Sequence, residues 1–243
     1  MLIRSSLILA LTLLPALPAF ADHQQKNIHY SFETGSDKWR GDFTDYPQGQ
    51  EQFYELSWGW ENLPANQMTY PNQTLFTKGI YLAGNNHSDD LFMYIKAPVS
   101  GLKPNTAYRV TLTVNLATNI PEGLSGIGGS PGESVTLKIG ASTIEPEKVN
   151  HNGFYVLNVD KGNQENGGKN AVVVGNLANP LVDQRHPQFA IKQVNNLNNP
   201  VIVNADANGR VWVFLGTDSG FEGLSKYYIG DVNITLQEVE ARN

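Results

Sequence analysis

Between residues 107 and 116 the side chains alternate in character. Tyr108, Val110, Leu112, Val114 and Leu116 are apolar, whereas Arg109, Thr111, Thr113 and Asn115 are polar. A period of two sends the first set to a core and the second to water. Across residues 80–119 three apolar runs of strand length are separated by the acidic loop Asn85-Asn86-His87-Ser88-Asp89-Asp90 and by a Pro104-Asn105 turn. That punctuation predicts consecutive strands of an antiparallel sheet. Further strands are expected at residues 28–32, 135–142, 154–159, 171–174 and 227–236. Residues 53–60 read as a strand with Tyr54, Leu56, Trp58 and Trp60 on one face. Residues 201–215 read as a hairpin turned at Asn208-Gly209, where glycine supplies the positive φ such turns require. Residues 63–77 and 160–169 read as loops, and residues 176–200 show no clear periodicity. Helical periodicity and internal repeats are absent from the sequence, so the expected class is an all-β antiparallel sandwich with little helix. Trp39 and Trp212 are expected in the core.

The first residues do not fit this pattern. Arg4, the apolar stretch of residues 7–14 and Ala19-Phe20-Ala21 have the form of a secretory signal peptide with its cleavage site. The apolar stretch is too short to span a bilayer, and no later segment approaches membrane length. The reading is a leader at residues 1–21, then one β-sandwich domain at residues 22–243 in an exported protein, secreted or periplasmic. There is no cysteine in the 243 residues, so neither an acylated-cysteine anchor nor a disulfide is available. The net charge of −6 argues against nucleic-acid binding and is compatible with cations or neutral glycans.

Two motifs suggest chemistry that their context rejects. Gly128-Gly129-Ser130-Pro131-Gly132 matches the nucleophile elbow of serine hydrolases, but a strand pattern follows where a helix is needed. Pro131 also lacks the backbone N–H that an oxyanion hole uses. The same glycine-rich stretch has Gly129 where a phosphate loop needs lysine. His87, Asp89 and Asp90 form the densest polar cluster between strands, with ligand-binding or metal-ligating potential. The competing reading is a solvated loop capping its own turns. Asp218 with Glu222, and Asp160 with Glu165, are loop carboxylates of the same kind. Loops cluster at the ends of a sandwich, so Asp89, Glu133, Asp160 and Asp218 are candidates to converge. Tyr54, Trp58, Trp60 and Tyr70 are candidate sugar-stacking rings, with core packing the alternative for the two tryptophans.

Three segments carry a resemblance: Phe32-Glu33-Thr34-Gly35 with Trp39, Gly101-Leu102-Lys103-Pro104-Asn105-Thr106 with Tyr108-Arg109-Val110, and Tyr228-Ile229-Gly230-Asp231-Val232. Together they resemble galactose-binding-like jelly rolls, the fold of many carbohydrate-binding modules. The segments at residues 84–90, 126–134 and 216–223 also look like a group of exported bacterial proteins of unassigned function. In the carbohydrate-binding relatives an acidic residue after the first strand and an Asp in the last strand share a structural calcium ion. The resemblance therefore implies calcium at Glu33 and Asp231, although the family often has two adjacent acidic residues where this chain has Gly230-Asp231.

The resulting expectation is a non-enzymatic exported module that binds a carbohydrate or another extracellular ligand, stabilised by calcium, with Asp218 and Glu222 as further metal candidates. One rival is a jelly-roll polysaccharide lyase or hydrolase, with His87, His151, Tyr155 and Arg185 as conceivable participants. The other is a surface adhesion component with a protein partner.

Overall fold

The computed structural model describes residues 25–65 and 76–239. The expected leader and Tyr70 lie outside the described residues. Strands β1 (Gln25–Ser31), β2 (Arg40–Thr44), β3 (Tyr46–Pro47), β4 (Ser57–Asn62) and β5 (Lys78–Asn85) open the chain. They are followed by β6 (Leu91–Val99), β7 (Ala107–Thr118), β8 (Val135–Ser142), β9 (Lys148–His151) and β10 (Phe154–Leu157). The chain closes with β11 (Ala171–Asn176), β12 (Ala190–Asn195), β13 (Val201–Asn204), β14 (Val211–Ser219) and β15 (Leu224–Glu238). There is no helix among the described residues.

Two antiparallel sheets form the sandwich. The larger runs β12-β7-β15-β5-β4, with β1 also paired to β15 and β13 to β7; the smaller runs β11-β8-β14-β6-β2. Val110, Leu112, Val114 and Leu116 of β7 join Val232, Ile234 and Leu236 of β15 on the inner face of the larger sheet. Opposite them lie Leu91, Met93, Ile95, Leu137, Ile139, Val213 and Leu215 of the smaller sheet. Burying these aliphatic side chains is the main favourable term holding the fold, at roughly 25 cal/mol per Å² of apolar surface. The alternation read at residues 107–116 is thus the core stripe of β7, and the antiparallel sandwich matches the expected class.

A third layer sets this chain apart from a plain two-sheet sandwich. A small sheet, β3-β10-β9, and the segment after β10 cover the outer face of the smaller sheet. Phe92, Tyr94 and Phe214 from that face pack with Val159, Ala171 and Leu157.

The structure corrects several expectations. The runs at residues 80–119 alternate between sheets, since β5 and β7 belong to the larger and β6 to the smaller. Each acidic or Pro-Asn punctuation is therefore a crossing between sheets. The segment 201–215 is also a crossing: β13 pairs with β7, whereas β14 pairs with β6 and β8. The Asn208-Gly209 turn remains, closed on Asp206, whose Oδ1 accepts from the N–H groups of Asn208 and Arg210. Residues 53–56 are not strand. Tyr54 N–H donates to Gln50 O, Glu55 has φ of 50°, and the strand starts at Ser57. Trp212 lies on the outer face of the smaller sheet, half-buried with Lys96 Nζ 5.9 Å from its ring centroid, because its parity is opposite to Val211 and Val213. Within residues 176–200, β12 occupies an edge position beside β7.

Candidate functional site

Ile80 and Leu82 of β5 and Tyr227 and Ile229 of β15 point into the core, so Tyr81, Lys226 and Tyr228 point outward. Tyr81 and Tyr228 are directly opposed across the β5–β15 pair. Their ring centroids are 6.3 Å apart with planes inclined at 52°. Lys226 Nζ stands 4.4 Å from the Tyr81 ring centroid and 5.2 Å from that of Tyr228. Glu61 Oε1, from β4, accepts from Lys226 Nζ at 2.8 Å and from the Tyr228 hydroxyl at 2.9 Å. Burial is the largest single influence on the Glu61 carboxyl and pushes it up, but the hydrogen bonds from Lys226 and Tyr228 and the Lys226 charge together outweigh it and hold the carboxyl below its usual range. Phe189 meets Tyr228 edge-on at 5.3 Å. Lys226 and Tyr228 also line a cleft of about 390 Å³ with Pro64, Asn119, Ile120, Phe189 and Leu224, and Tyr81 and Glu61 support them from outside its lining. Its size and mix of apolar walls with a few polar groups suit a small ligand.

At one end of the sandwich three loops meet. Phe53, 59% exposed, stacks on His87 with centroids 4.1 Å apart, and Tyr54 meets His87 edge-on at 5.3 Å. Asp89 lies on the same loop in a left-handed conformation, and its carbonyl accepts from Gln164 Nε2 at 2.6 Å. Asp90 opens into a cavity of about 230 Å³ also lined by Asp45, Asp160, Lys161 and Asn163.

Behind that cavity lies a buried charge network under the third layer. Asp218 of β14 and Lys138 of β8 share the outer face of the smaller sheet, both side chains 0% exposed, with Lys138 Nζ 2.7 Å from Asp218 Oδ2. The same oxygen accepts from Lys161 Nζ at 2.7 Å and from Gln164 N–H at 3.0 Å. Lys161 also pairs with Asp45 at 3.0 Å. Asp45, Asp90 and Asp218 each place a carboxylate oxygen within 4.8 Å of the others. Burial, then the Asp45 and Asp218 charges, push Asp90 up to about 8. Burial raises Asp45 as well. For Asp218 the two ammonium groups, Lys161 and then Lys138, outweigh burial and hold the carboxyl low. The lysines diverge: burial lowers Lys138, whereas for Lys161 the Asp218 and Asp45 charges overcome burial and raise it. Asp90 Oδ1 and Asp218 Oδ1 are buried with no donor.

The other anticipated residues are dispersed. Glu33 and Asp231 line one cavity of about 210 Å³ with Ser31, Phe76 and Asn115. Glu33 accepts from Thr77 N–H and Oγ1, each at 2.6 Å, and Asp231 accepts from Asn115 Nδ2. Trp58 packs on the core against Gly41, and Trp60 donates its Nε1 proton to Phe32 O at 2.6 Å. Glu222 is half-buried and its N–H donates to Ile127 O. Of the four loop carboxylates expected to converge, Asp218 lies in the charge network, whereas the exposed Asp160 carboxylate closes its own loop by accepting from Gly162 and Lys169 N–H. Glu133 is elsewhere, bonded to Ser130 and to Gly123 N–H.

No protein-family model matches the chain, and no curated protein sequence matches it. Among solved structures the chain is similar to a carbohydrate-binding module in complex with β-1,4-galactotriose, at 12% identity over 84% of this chain and 92% of that one, with a TM-score of 0.35. It is similar to the K1 cleaved adhesin domain of Lys-gingipain from Porphyromonas gingivalis, at 14% identity over 90% and 99% of the two chains, with a TM-score of 0.36. A third is a carbohydrate-binding module described for specific mannan recognition, at 8% identity over 88% and 98%, with a TM-score of 0.38.

Lys226 and Tyr228 of the cleft, and Tyr81 beside them, were not singled out as ligand contacts from sequence. Their signal is parity: each sits between buried neighbours, Ile80 and Leu82, Ser225 and Tyr227, or Tyr227 and Ile229. Lys138 and Lys161 gave no such signal, because a lysine inside an apolar strand, or in a polar loop as Lys161 is, reads as solvent-facing until a covering layer is known.

Proposed function

We propose that the protein is an exported binding module whose ligand is a carbohydrate, held in the cleft on the outer face of the larger sheet. The observation that carries this reading is the 390 Å³ cleft walled by Ile120, Phe189, Leu224 and Tyr228, with the Lys226 ammonium held in place by Glu61. The apolar walls, with Leu224 the most exposed of them, accept the C–H face of a pyranose, while the Lys226 ammonium and Asn119 offer donors and an acceptor to its hydroxyls. The ring and charge positions are fixed before any ligand arrives, which lowers the ordering cost of binding. Export rests on the leader-like residues 1–21, with the periplasm or the exterior as destination.

Calcium belongs to the same reading. Glu33 and Asp231 would hold it in their shared cavity, where each carboxylate retains lone pairs beyond its present hydrogen bonds. The ion would join the chain's first and last strands, a staple in a protein without cysteine.

A screen of neutral and acidic polysaccharides by affinity electrophoresis tests the reading, with Lys226→Ala and Leu224→Ala as cleft variants. Retardation of the wild type that both variants lose supports it. Binding that both variants keep moves the ligand away from the cleft.

A further inference from the structure

The most unusual chemistry in the molecule lies outside the cleft, at Lys138 and Asp218. We propose that these two side chains condense into an intramolecular amide, a covalent cross-link between β8 and β14. The two strands are adjacent, and both side chains are wholly buried with Nζ 2.7 Å from the carboxylate.

Each participant's surroundings fit a role. Lys138 Nζ is within hydrogen-bond reach of Lys161 O at 3.0 Å, Asn166 O at 2.9 Å and Asp218 Oδ2 at 2.7 Å. As a neutral amine it keeps two N–H groups for the carbonyl oxygens and turns its lone pair to Asp218. Desolvation is what lowers the lysine toward that neutral form, the usual way a buried lysine becomes a nucleophile. Lys161, held as an ammonium by Asp218 and Asp45, and the Gln164 N–H both donate to Asp218 Oδ2. They form a donor pair that would carry negative charge developing on that oxygen. Asp218 Oδ1 has no donor, and neither has Asp90 Oδ1. A proton resident on Asp90 supplies the missing hydrogen bond between the two carboxyl groups, and that hydrogen bond is among the effects that raise Asp90.

The reaction balances without any co-reactant. Asp90 passes its proton to Asp218 Oδ1 and takes one from the Lys138 ammonium, leaving an amine, a carboxylic acid whose hydroxyl is Oδ1, and Asp90 protonated again. The nitrogen lone pair attacks Asp218 Cγ, and the carbonyl π pair moves onto Oδ2 between Lys161 and Gln164 N–H. Asp90 gives its proton to the Oδ1 hydroxyl and recovers one from nitrogen. As the Oδ2 pair re-forms the double bond, Cγ–Oδ1 breaks and one water leaves. The products are the amide, one water and a protonated Asp90.

The network has a purely electrostatic alternative, two ammonium groups balancing two carboxylates beside one protonated carboxyl. Mass separates the two. Intact-mass spectrometry on the folded chain, incubated at neutral pH and referred to its measured N-terminus, should show the sequence mass less one water. A digest should contain one branched peptide joining the Lys138 and Asp218 segments. Asp90→Asn keeps the side-chain shape and removes the proton carrier, so it should melt cooperatively yet hold the full sequence mass; Lys138→Met should also hold full mass. A folded wild-type chain at full sequence mass overturns the proposal. A water loss that maps to other residues overturns it equally.

Discussion

Tyr81 and Tyr228 face each other across adjacent strands at 6.3 Å, and one ammonium, Lys226 Nζ, lies over both rings. Glu61 ties that ammonium to the Tyr228 hydroxyl, so rings and charges form one unit, of which Lys226 and Tyr228 border the cleft. Tyr228→Phe removes the hydroxyl and leaves the ring. It should cost about 1 kcal/mol of stability in chemical denaturation. Tyr228→Ala removes a ring that is 1% exposed and packed on Phe189, and should cost about 3–5 kcal/mol. Similar losses for both would show that the ring contributes little packing.

Gly230 positions the last strand. The β15–β7 register shifts between Ile229 and Asp231, which turns Asp231 outward beside Asn115. A Cβ on Gly230 would come within 1.9 Å of Phe76 Cδ1. Gly230→Ala should therefore destabilise by about 1–3 kcal/mol, read from the denaturation midpoint. An unchanged midpoint would mean that Phe76 moves aside freely.

Much of the sandwich was legible in the letters because a half-buried strand writes its burial as alternation. Residues 107–116 are the clearest case. Sheet membership was not legible, since a Gly or Asn turn looks alike whether it joins neighbours or crosses between sheets, as Asn208-Gly209 does. The third layer was equally hidden. Lys138 and Asp218 become buried only when residues 154–170 fold back over the smaller sheet, so no local pattern marks them as partners. Asp90 was noticed as a loop acid, but its neighbours Asp45 and Asp218 lie 45 and 128 positions away in the sequence. The cleft residues fall between these cases, visible through parity once β5 and β15 are known to pair.

Asp90 sets a pH dependence with an unusual sign. In the uncondensed network, before the Lys138–Asp218 amide forms, its folded pKa is raised by burial and by Asp45 and Asp218 to about 8, above the unfolded value of about 4. The stabilisation belongs to the protonated form, so it is complete below about pH 4 and is lost as pH rises to about 8. Discounted for partial solvent access, the change is roughly 1–3 kcal/mol. Asp90→Asn should flatten this part of the stability profile relative to wild type. Parallel profiles for the two proteins would show that Asp90 titrates normally.

If Glu33 and Asp231 hold calcium, the thermal midpoint should be higher in millimolar calcium than in chelator. Glu33→Gln with Asp231→Asn should abolish that difference. Equal midpoints for the wild type in both conditions would remove the ion from the account.

The central claim is that a sugar occupies the cleft between Tyr228, Phe189 and Lys226. Its most direct measurement is an isothermal titration of the best-retained oligosaccharide from the screen into wild type and into Lys226→Ala, the latter checked for an unchanged fold by circular dichroism. The account predicts saturable wild-type binding weakened at least tenfold by the substitution. Equal affinity in the two proteins, or no binding of any screened polysaccharide, would contradict it.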